Sequence, residues 1–171
     1  MALVIGCGGS TAQEQARNAG ESTMSDTLGL PNEVRLADGL VVGGQPSADA
    51  LRQAEENGIR AVVSLRRAQE DGFAEERAQV EAQGMRFIHI PVGGAGDLTE
   101  ENARALDSAI GDAGPGATLV HCGSGNRVGA LLALRAFYLQ GKSPEEALQI
   151  GRDAGLTALD QAVQSRLNQA D

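Results

Sequence analysis

Residues 117–136 read ATLVHCGSGNRVGALLALRA, and their order decides the fold. An apolar, strand-like run ends at His121-Cys122. A glycine-rich loop, Gly123-Ser124-Gly125-Asn126, follows it. Arg127 then opens an alanine- and leucine-rich helix. A strand, a glycine loop and a helix N-terminus together form an anion cradle, because the loop and first-turn amides point at one place. This cradle carries a thiol at its start and a guanidinium at its end, which suggests a nucleophile aimed at an oxyanion.

The chemistry follows from those residue types. The thiolate, not the thiol, is the nucleophile, and a helix N-terminus with a nearby cation favours the ionised form. The amides of Gly123, Ser124, Gly125 and Asn126 would hold the oxygens of a tetrahedral anion. Glycine at 123 and 125 permits the tight curvature. Arg127 can grip two oxygens with its planar fork. Cys122 would then attack the central atom, and the same donors would stabilise the charge that develops. Taken singly, the cysteine reads as a small buried core residue and the loop as a turn. The spacing His-Cys-x4-Arg between strand and helix is what favours function.

His121 has two readings: a supporting residue that hydrogen-bonds the loop backbone, or a satisfied core histidine. His89 reads as a plain sheet residue. Asp97 lies in the loop after a neighbouring strand and is the candidate general acid; its competing reading is a dipole-compensating residue ahead of a helix. Glu70 and Asp71 are weaker candidates for that acid.

Outward from the motif, strands alternate with helices. Asp38-Gly39 between Val34–Leu36 and Leu40–Val42 signals a hairpin. Ser47 can cap a helix that Gly58 stops. Strands are expected over 60–65 and 86–90, with a helix over 71–83 between them. Thr99 caps a helix to about 112, and 117–121 is the strand that delivers Cys122. A helix is expected over 128–139. Ser143-Pro144-Glu145-Glu146 is a capping box with proline at N1, and Thr157 to Asp160 opens a last helix. The pattern predicts an α/β fold with a central, mostly parallel sheet of about five strands flanked by helices, plus extra C-terminal helices.

Composition narrows the partners. Aromatics are 2% of the chain, so alanine, leucine and valine must fill the core. Net charge is −9, which repels nucleic acid and anionic surfaces. Long polyanionic substrates are therefore disfavoured, and a substrate anion, whether a small anion or a phosphorylated side chain, must be drawn in locally by the loop. Two histidines and two cysteines without zinc spacing make a poor metal inventory; no cofactor and no metal are expected. No stretch approaches the roughly 18 apolar residues of a transmembrane segment.

Residues 1–27 are polar and glycine-rich and read as a disordered lead-in or a lipoprotein-like tether, with the α/β domain over 28–171. Val4-Ile5-Gly6-Cys7 resembles a lipobox, yet only six residues precede Cys7 and none is basic. A lipid anchor at Cys7 would place the protein in the periplasm; a chance cysteine would leave it cytoplasmic.

The chain resembles the cysteine-based protein tyrosine phosphatase superfamily. More narrowly, it resembles the bacterial beta-lactamase hydrolase-like phosphatase-domain family, close to dual-specificity phosphatases. The pieces are LVVGGQPS (40–47), GIRAVVSLR (58–66), FIHIPV (87–92), LTEE (98–101) and HCGSGNRVG (121–129). The resemblance implies Cys122 as nucleophile, Arg127 as phosphate-binding arginine, and 123–126 as anion-binding amides. Gln45, Ser47 and Arg66 match family positions and read first as hydrogen-bonding and capping residues. Two departures stand out. The family's usual loop carries one residue more than the four between Cys122 and Arg127. Its usual hydroxyl after the arginine is here Val128. The shorter loop matches rhodanese-like sulfurtransferases, so a Cys122 persulfide carrier is the rival chemistry. A weakly catalytic anion-binding module is the non-enzymatic rival.

Overall fold

The computed structural model describes residues 27–169. Cys7 and its lipobox-like context lie outside the described residues.

Among the described residues five strands form one sheet: β1 (Val34–Arg35), β2 (Val41–Gly43), β3 (Ala61–Ser64), β4 (Arg86–His89) and β5 (Thr118–His121). Their spatial order is β1-β2-β5-β3-β4. β1 runs antiparallel to β2 through the Asp38-Gly39 hairpin, and the other pairs are parallel. β5 is last in sequence yet central in space. All four of its residues are buried, as expected of a parallel strand covered on both faces.

Among the described residues six α-helices cover the sheet: α1 (Ala48–Glu56), α2 (Phe73–Ala82), α3 (Glu100–Ala113), α4 (Asn126–Gln140), α5 (Pro144–Asp153) and α6 (Asp160–Gln169). One core joins Val41, Val62 and Leu119 of the sheet to Leu51 of α1 and Val80 of α2. The other joins Val42, Val63 and Val120 to Leu106 of α3, Leu131 of α4, Leu148 of α5 and Leu167 of α6. Alternate residues of β5 feed opposite faces, the period-two rule of a strand. Among the described residues no helix is long and apolar enough to cross a membrane.

The caps are where the sequence places them. Ser47 accepts from the Ala50 amide, Thr99 from the Asn102 amide, and Ser143 and Glu146 close the capping box. Two helix starts differ from expectation. α2 begins at Phe73, not 71, because Gly72 enters the left-handed region at φ +76° and the preceding loop turns inward. α4 begins at Asn126, not 128, because Gly125 turns the chain at φ +95° directly into the helix.

α4 is buried on almost every side, since sheet, α3 and α5 all press on it. α5 crosses it at two glycines. A Cβ at Gly129 would lie 2.5 Å from the Gly151 carbonyl oxygen and 2.3 Å from the Leu156 amide nitrogen. This crossing fixes the C-terminal helices against the start of α4.

Candidate active site

The strand order reverses at β5: β3 and β4 lie to one side of it, and β1 and β2 to the other. Loops leaving the C-terminal ends of β2, β3, β4 and β5 therefore converge, the usual location for a site in a parallel sheet. Cys122 is the first residue after β5. It is wholly buried at the floor of the cradle and unpaired.

The loop backbone is oriented from both sides. The Gly123 carbonyl accepts from the Gln45 amide at 3.3 Å. The Ser124 carbonyl accepts from Asn32 Nδ2 at 2.9 Å. A trans peptide points its N–H opposite to its carbonyl, so the amides of Ser124 and Gly125 turn inward. The Gly125 amide donates to Cys122 Sγ at 3.1 Å.

Arg127, in the first turn of α4, is fixed on one edge. Its Nη1 donates to the Val92 carbonyl at 3.0 Å and to Glu70 Oε1 at 2.6 Å, and its Nη2 donates to Glu70 Oε2 at 2.9 Å. The hydrogen bond from Arg127 is the main reason the Glu70 carboxyl is held down to about 2. The same bond raises Arg127 above the ordinary guanidinium value. A carboxyl ionised down to that pH has no proton to give near neutrality, so Glu70 is an orienting partner of Arg127 and not the weaker general-acid candidate of the sequence reading.

Asp97 ends a single 3₁₀ turn, Ala95–Asp97. Its Oδ2 accepts from the Gly93 amide at 2.6 Å, next to Val92, whose carbonyl holds Arg127. The Gly93 N–H and the Val92 carbonyl belong to one trans peptide and point opposite ways, so the Asp97 carboxylate shares the loop that holds Arg127 but lies across that peptide from it. The Asn126 side chain faces away from the cradle. Its Oδ1 accepts from the Thr157 and Leu159 amides at 2.9 and 3.2 Å. The segment between α5 and α6 thus reaches the 123–126 loop through Asn126.

Beneath the cradle lies a group of residues the motif does not announce. His121 is buried, with Nδ1 3.3 Å from the Cys122 carbonyl and Nε2 2.9 Å from Glu76 Oε1. The second is a close approach and not a hydrogen bond, since neither of those two buried atoms has a hydrogen-bond partner. Arg66 Nη1 donates to Glu76 Oε2 at 3.1 Å, and its Nε lies 3.5 Å from Glu70. Burial pushes the Glu76 carboxyl up, but His121 and Arg66 outweigh it and hold it below the ordinary value. His89 is more than a sheet residue: Nε2 sits 2.7 Å from the Arg66 carbonyl, and its ring packs 4.6 Å from Phe73. Among the described residues no cluster of three or more His, Cys, Asp or Glu could hold a metal ion.

An open cleft of about 380 Å³ lies beside the Asp97 loop, between Ala95-Gly96 and Ala162, Ser165, Arg166 and Gln169 of α6.

The family model described as "DSP-PTPase phosphatase fused to NAD+ Kinase" matches residues 19–168, and the chain belongs to that family. A Beta-lactamase hydrolase-like protein of Xylella fastidiosa (strain Temecula1) is 32% identical over 105 residues, 59% of this chain and 24% of the relative. The chain thus spans about a quarter of the length of the curated relatives it matches. Among solved structures, a candidate phosphatase of the DUF442 group from Shewanella putrefaciens CN-32 superposes with TM-score 0.64 at 22% identity, over 83% of this chain and 92% of the other. A candidate phosphatase from Neisseria meningitidis Z2491 superposes with TM-score 0.63 at 25% identity, over 77% of this chain and 93% of the other. The fold is that of the cysteine-based, dual-specificity-like phosphatases.

Proposed function

We propose that this domain is a cysteine-dependent phosphatase that hydrolyses phosphomonoesters through a phosphocysteine intermediate. The observation that carries the reading is the peptide between Ser124 and Gly125. Its carbonyl is tied outward to Asn32 while its N–H donates to Cys122 Sγ at 3.1 Å. The loop is therefore organised around negative charge at the sulfur and above it.

In the first step a Cys122 Sγ lone pair attacks phosphorus. The P–O bond to the leaving group breaks, and that oxygen takes a proton. Asp97 is the proposed donor, because its loop borders Arg127. The inward amides and Arg127 carry the charge of the transition state. In the second step water attacks phosphorus and returns a proton to the Asp97 carboxylate, the S–P bond breaks, and inorganic phosphate leaves with the thiolate restored. Neither step calls on a metal or a cofactor. The substrate is a small phosphorylated molecule or a phosphoprotein, with its leaving group toward loops 67–72 and 93–98 and the α6 cleft.

The test is a paired assay on the purified protein. An aryl phosphate should release phosphate, vanadate should block the release, and Cys122→Ser should abolish it. Thiocyanate formation from thiosulfate and cyanide, without phosphate release, overturns the reading in favour of sulfur transfer.

A further inference from the structure

The arginines sort by whether an acid holds them. Acids outnumber bases 23 to 14 in this chain, so a guanidinium at its surface usually meets a carboxylate. Arg52, Arg77, Arg104, Arg135 and Arg152 each have such a partner, and Arg66 and Arg127 have Glu76 and Glu70. Among the described residues Arg60, Arg67, Arg86 and Arg166 form no ion pair. Arg60 precedes β3 and Arg86 opens β4, at the end of the sheet opposite Cys122. Arg67 and Arg166 instead border the loop that carries Asp97.

Arg67 lies in the exposed loop after β3. Its main chain is anchored to the residue that grips Arg127: the Arg67 amide donates to Glu70 Oε1 at 2.8 Å, and its carbonyl accepts from the Glu70 amide at 3.0 Å. Its place relative to the cradle is therefore set. The side chain then crosses Gly93. A Cβ on that glycine would stand 3.2 Å from Arg67 Cδ, 3.6 Å from its Nη1 and 3.1 Å from Asp97 Oδ2. Guanidinium and carboxylate flank one glycine without pairing, and the Gly93 amide occupies Asp97 Oδ2.

Arg166, on α6, lines the cleft of about 380 Å³ together with Ala95 and Gly96 of the same loop. Among the described residues no carboxylate lines that cleft. The Ser165 hydroxyl is committed to the Gln161 carbonyl, which leaves Arg166 as the charged donor there. Arg166 also falls in the last turn of α6, where a cation complements the helix dipole. That simpler reading does not extend to Arg67, which lies on no helix. A net charge of −9 repels a second negative charge on any substrate, so such a charge is received only where cations stand open.

We propose that Arg67 and Arg166 receive a second oxyanion carried by the leaving group, so that the substrate is a small phosphomonoester that also bears a phosphate or a carboxylate. The guanidinium fork matches the paired oxygens of either group. The bond broken is the P–O ester bond at Cys122, and the second anion departs on the leaving alcohol. The cleft has the volume of a small-molecule site, and the net charge disfavours a long anionic chain. The inference rests on the reading of the domain as a phosphomonoesterase and narrows its substrate.

The experiment compares two aryl phosphates of one shape and different charge, 3-carboxyphenyl phosphate and 3-carbamoylphenyl phosphate, with 1,3-phenylene bisphosphate as a third. The carboxylate ester, the bisphosphate or both should exceed the neutral ester about tenfold in kcat/KM, the contribution of one charge-assisted hydrogen bond. The larger advantage identifies the second anion. Neither arginine is buried, and Arg67→Met and Arg166→Met keep the length of the stem. Each should cut the advantage about threefold or more through KM, the double variant should abolish it, and lysine at either position should restore part of it. Equal kcat/KM for charged and neutral esters in the unchanged protein overturns the inference and leaves the phosphatase reading standing. An advantage that survives in the double variant does the same. A doubly phosphorylated peptide turned over faster than every small ester overturns the small-molecule class. No phosphate release from any ester overturns the phosphatase reading itself.

Discussion

Glu70 holds Arg127 by the end of its guanidinium: Oε1 lies 2.6 Å from Nη1 and Oε2 2.9 Å from Nη2. A guanidinium has five N–H groups in a fixed fork. The end-on grip and the Val92 carbonyl occupy the Nη1 side. They leave Nε–H and the second Nη2–H, the side-on pair that matches two phosphate oxygens. Nη2 lies on the Gly123 side, 3.4 Å from where a Cβ would stand on that glycine. Glu70 therefore orients the fork and does not compete for it. Glu70→Gln should raise KM for an aryl phosphate about tenfold, roughly the contribution of one charge-assisted hydrogen bond, and should also lower kcat. Steady-state kinetics check it; a fall in KM would show competition instead.

The crossing of α4 and α5 leaves no room for a methyl group. Gly129→Ala would drive a Cβ into the Leu156 amide and the Gly151 carbonyl, both main-chain atoms. The cost is about 3 kcal/mol or more, or a Tm lower by roughly 6–12 °C. Gly111, inside α3, has open space around it. Gly111→Ala should stabilise by about 0.5–1 kcal/mol through helix propensity alone. Thermal melts of the two variants should move in opposite directions.

Asn126 ties the active-site loop to the α5–α6 connection. Replacing it with alanine leaves the Thr157 and Leu159 amides without their acceptor. Asn126→Ala should cost about 1–2 kcal/mol and weaken vanadate binding, since the loop's outer anchor is lost. Calorimetry and vanadate titration on the same samples measure both effects. Unchanged vanadate affinity would show that Asn32 and Gln45 suffice to hold the loop.

Acid should unpair the hydrogen-bonded carboxylates. Glu33, Glu70 and Glu76 all have folded values below the ordinary carboxylate value of 4.5. Burial opposes the shift at Glu33 and Glu76, and hydrogen bonds outweigh it. A lowered folded value contributes stability that is fully present above the unfolded value and lost as pH falls through the folded one. Urea midpoints should hold steady down to about pH 5 and then drop toward pH 2. In Glu70→Gln the drop should be shallower.

How far the sequence spoke depended on whether a partner was near in the chain. Ser47, Thr99 and Ser143 announce their helices because each cap acts three residues away. Cys122 and Arg127 are legible because strand, loop and helix are contiguous. Glu70 and Arg127 are 57 residues apart, and no spacing rule joins them. Glu76 reads as one more acid on a charged helix, although its place between Phe73 and Val80 on the apolar stripe is a signal that was there to use. The motif offers the cradle the amide of Asn126 and is silent on its side chain, which serves the opposite face. Local chemistry fixes the caps; long-range packing decides which buried charges meet.

Asp97 supplies the sharpest remaining test of the proposed mechanism. Its Oδ2 accepts from the Gly93 amide, and the Asn102 side chain donates to its backbone carbonyl, so the carboxylate is held on the 93–98 loop, across the Val92–Gly93 peptide from Arg127. A general acid must be protonated in the reacting complex, which gives kcat a basic limb. Asp97→Asn cannot donate that proton, so the basic limb should vanish and kcat should fall about 10²-fold or more, within the usual span for an acid catalyst. A substrate with a very good leaving group needs little protonation, so the loss should shrink with dinitrophenyl phosphate. An unchanged basic limb in Asp97→Asn would end the assignment and move the search to water or the substrate itself. Because Asp97 also pins Gly93, the variant's melting curve must accompany the kinetics. A large loss of kcat with intact Tm is the result that assigns the proton.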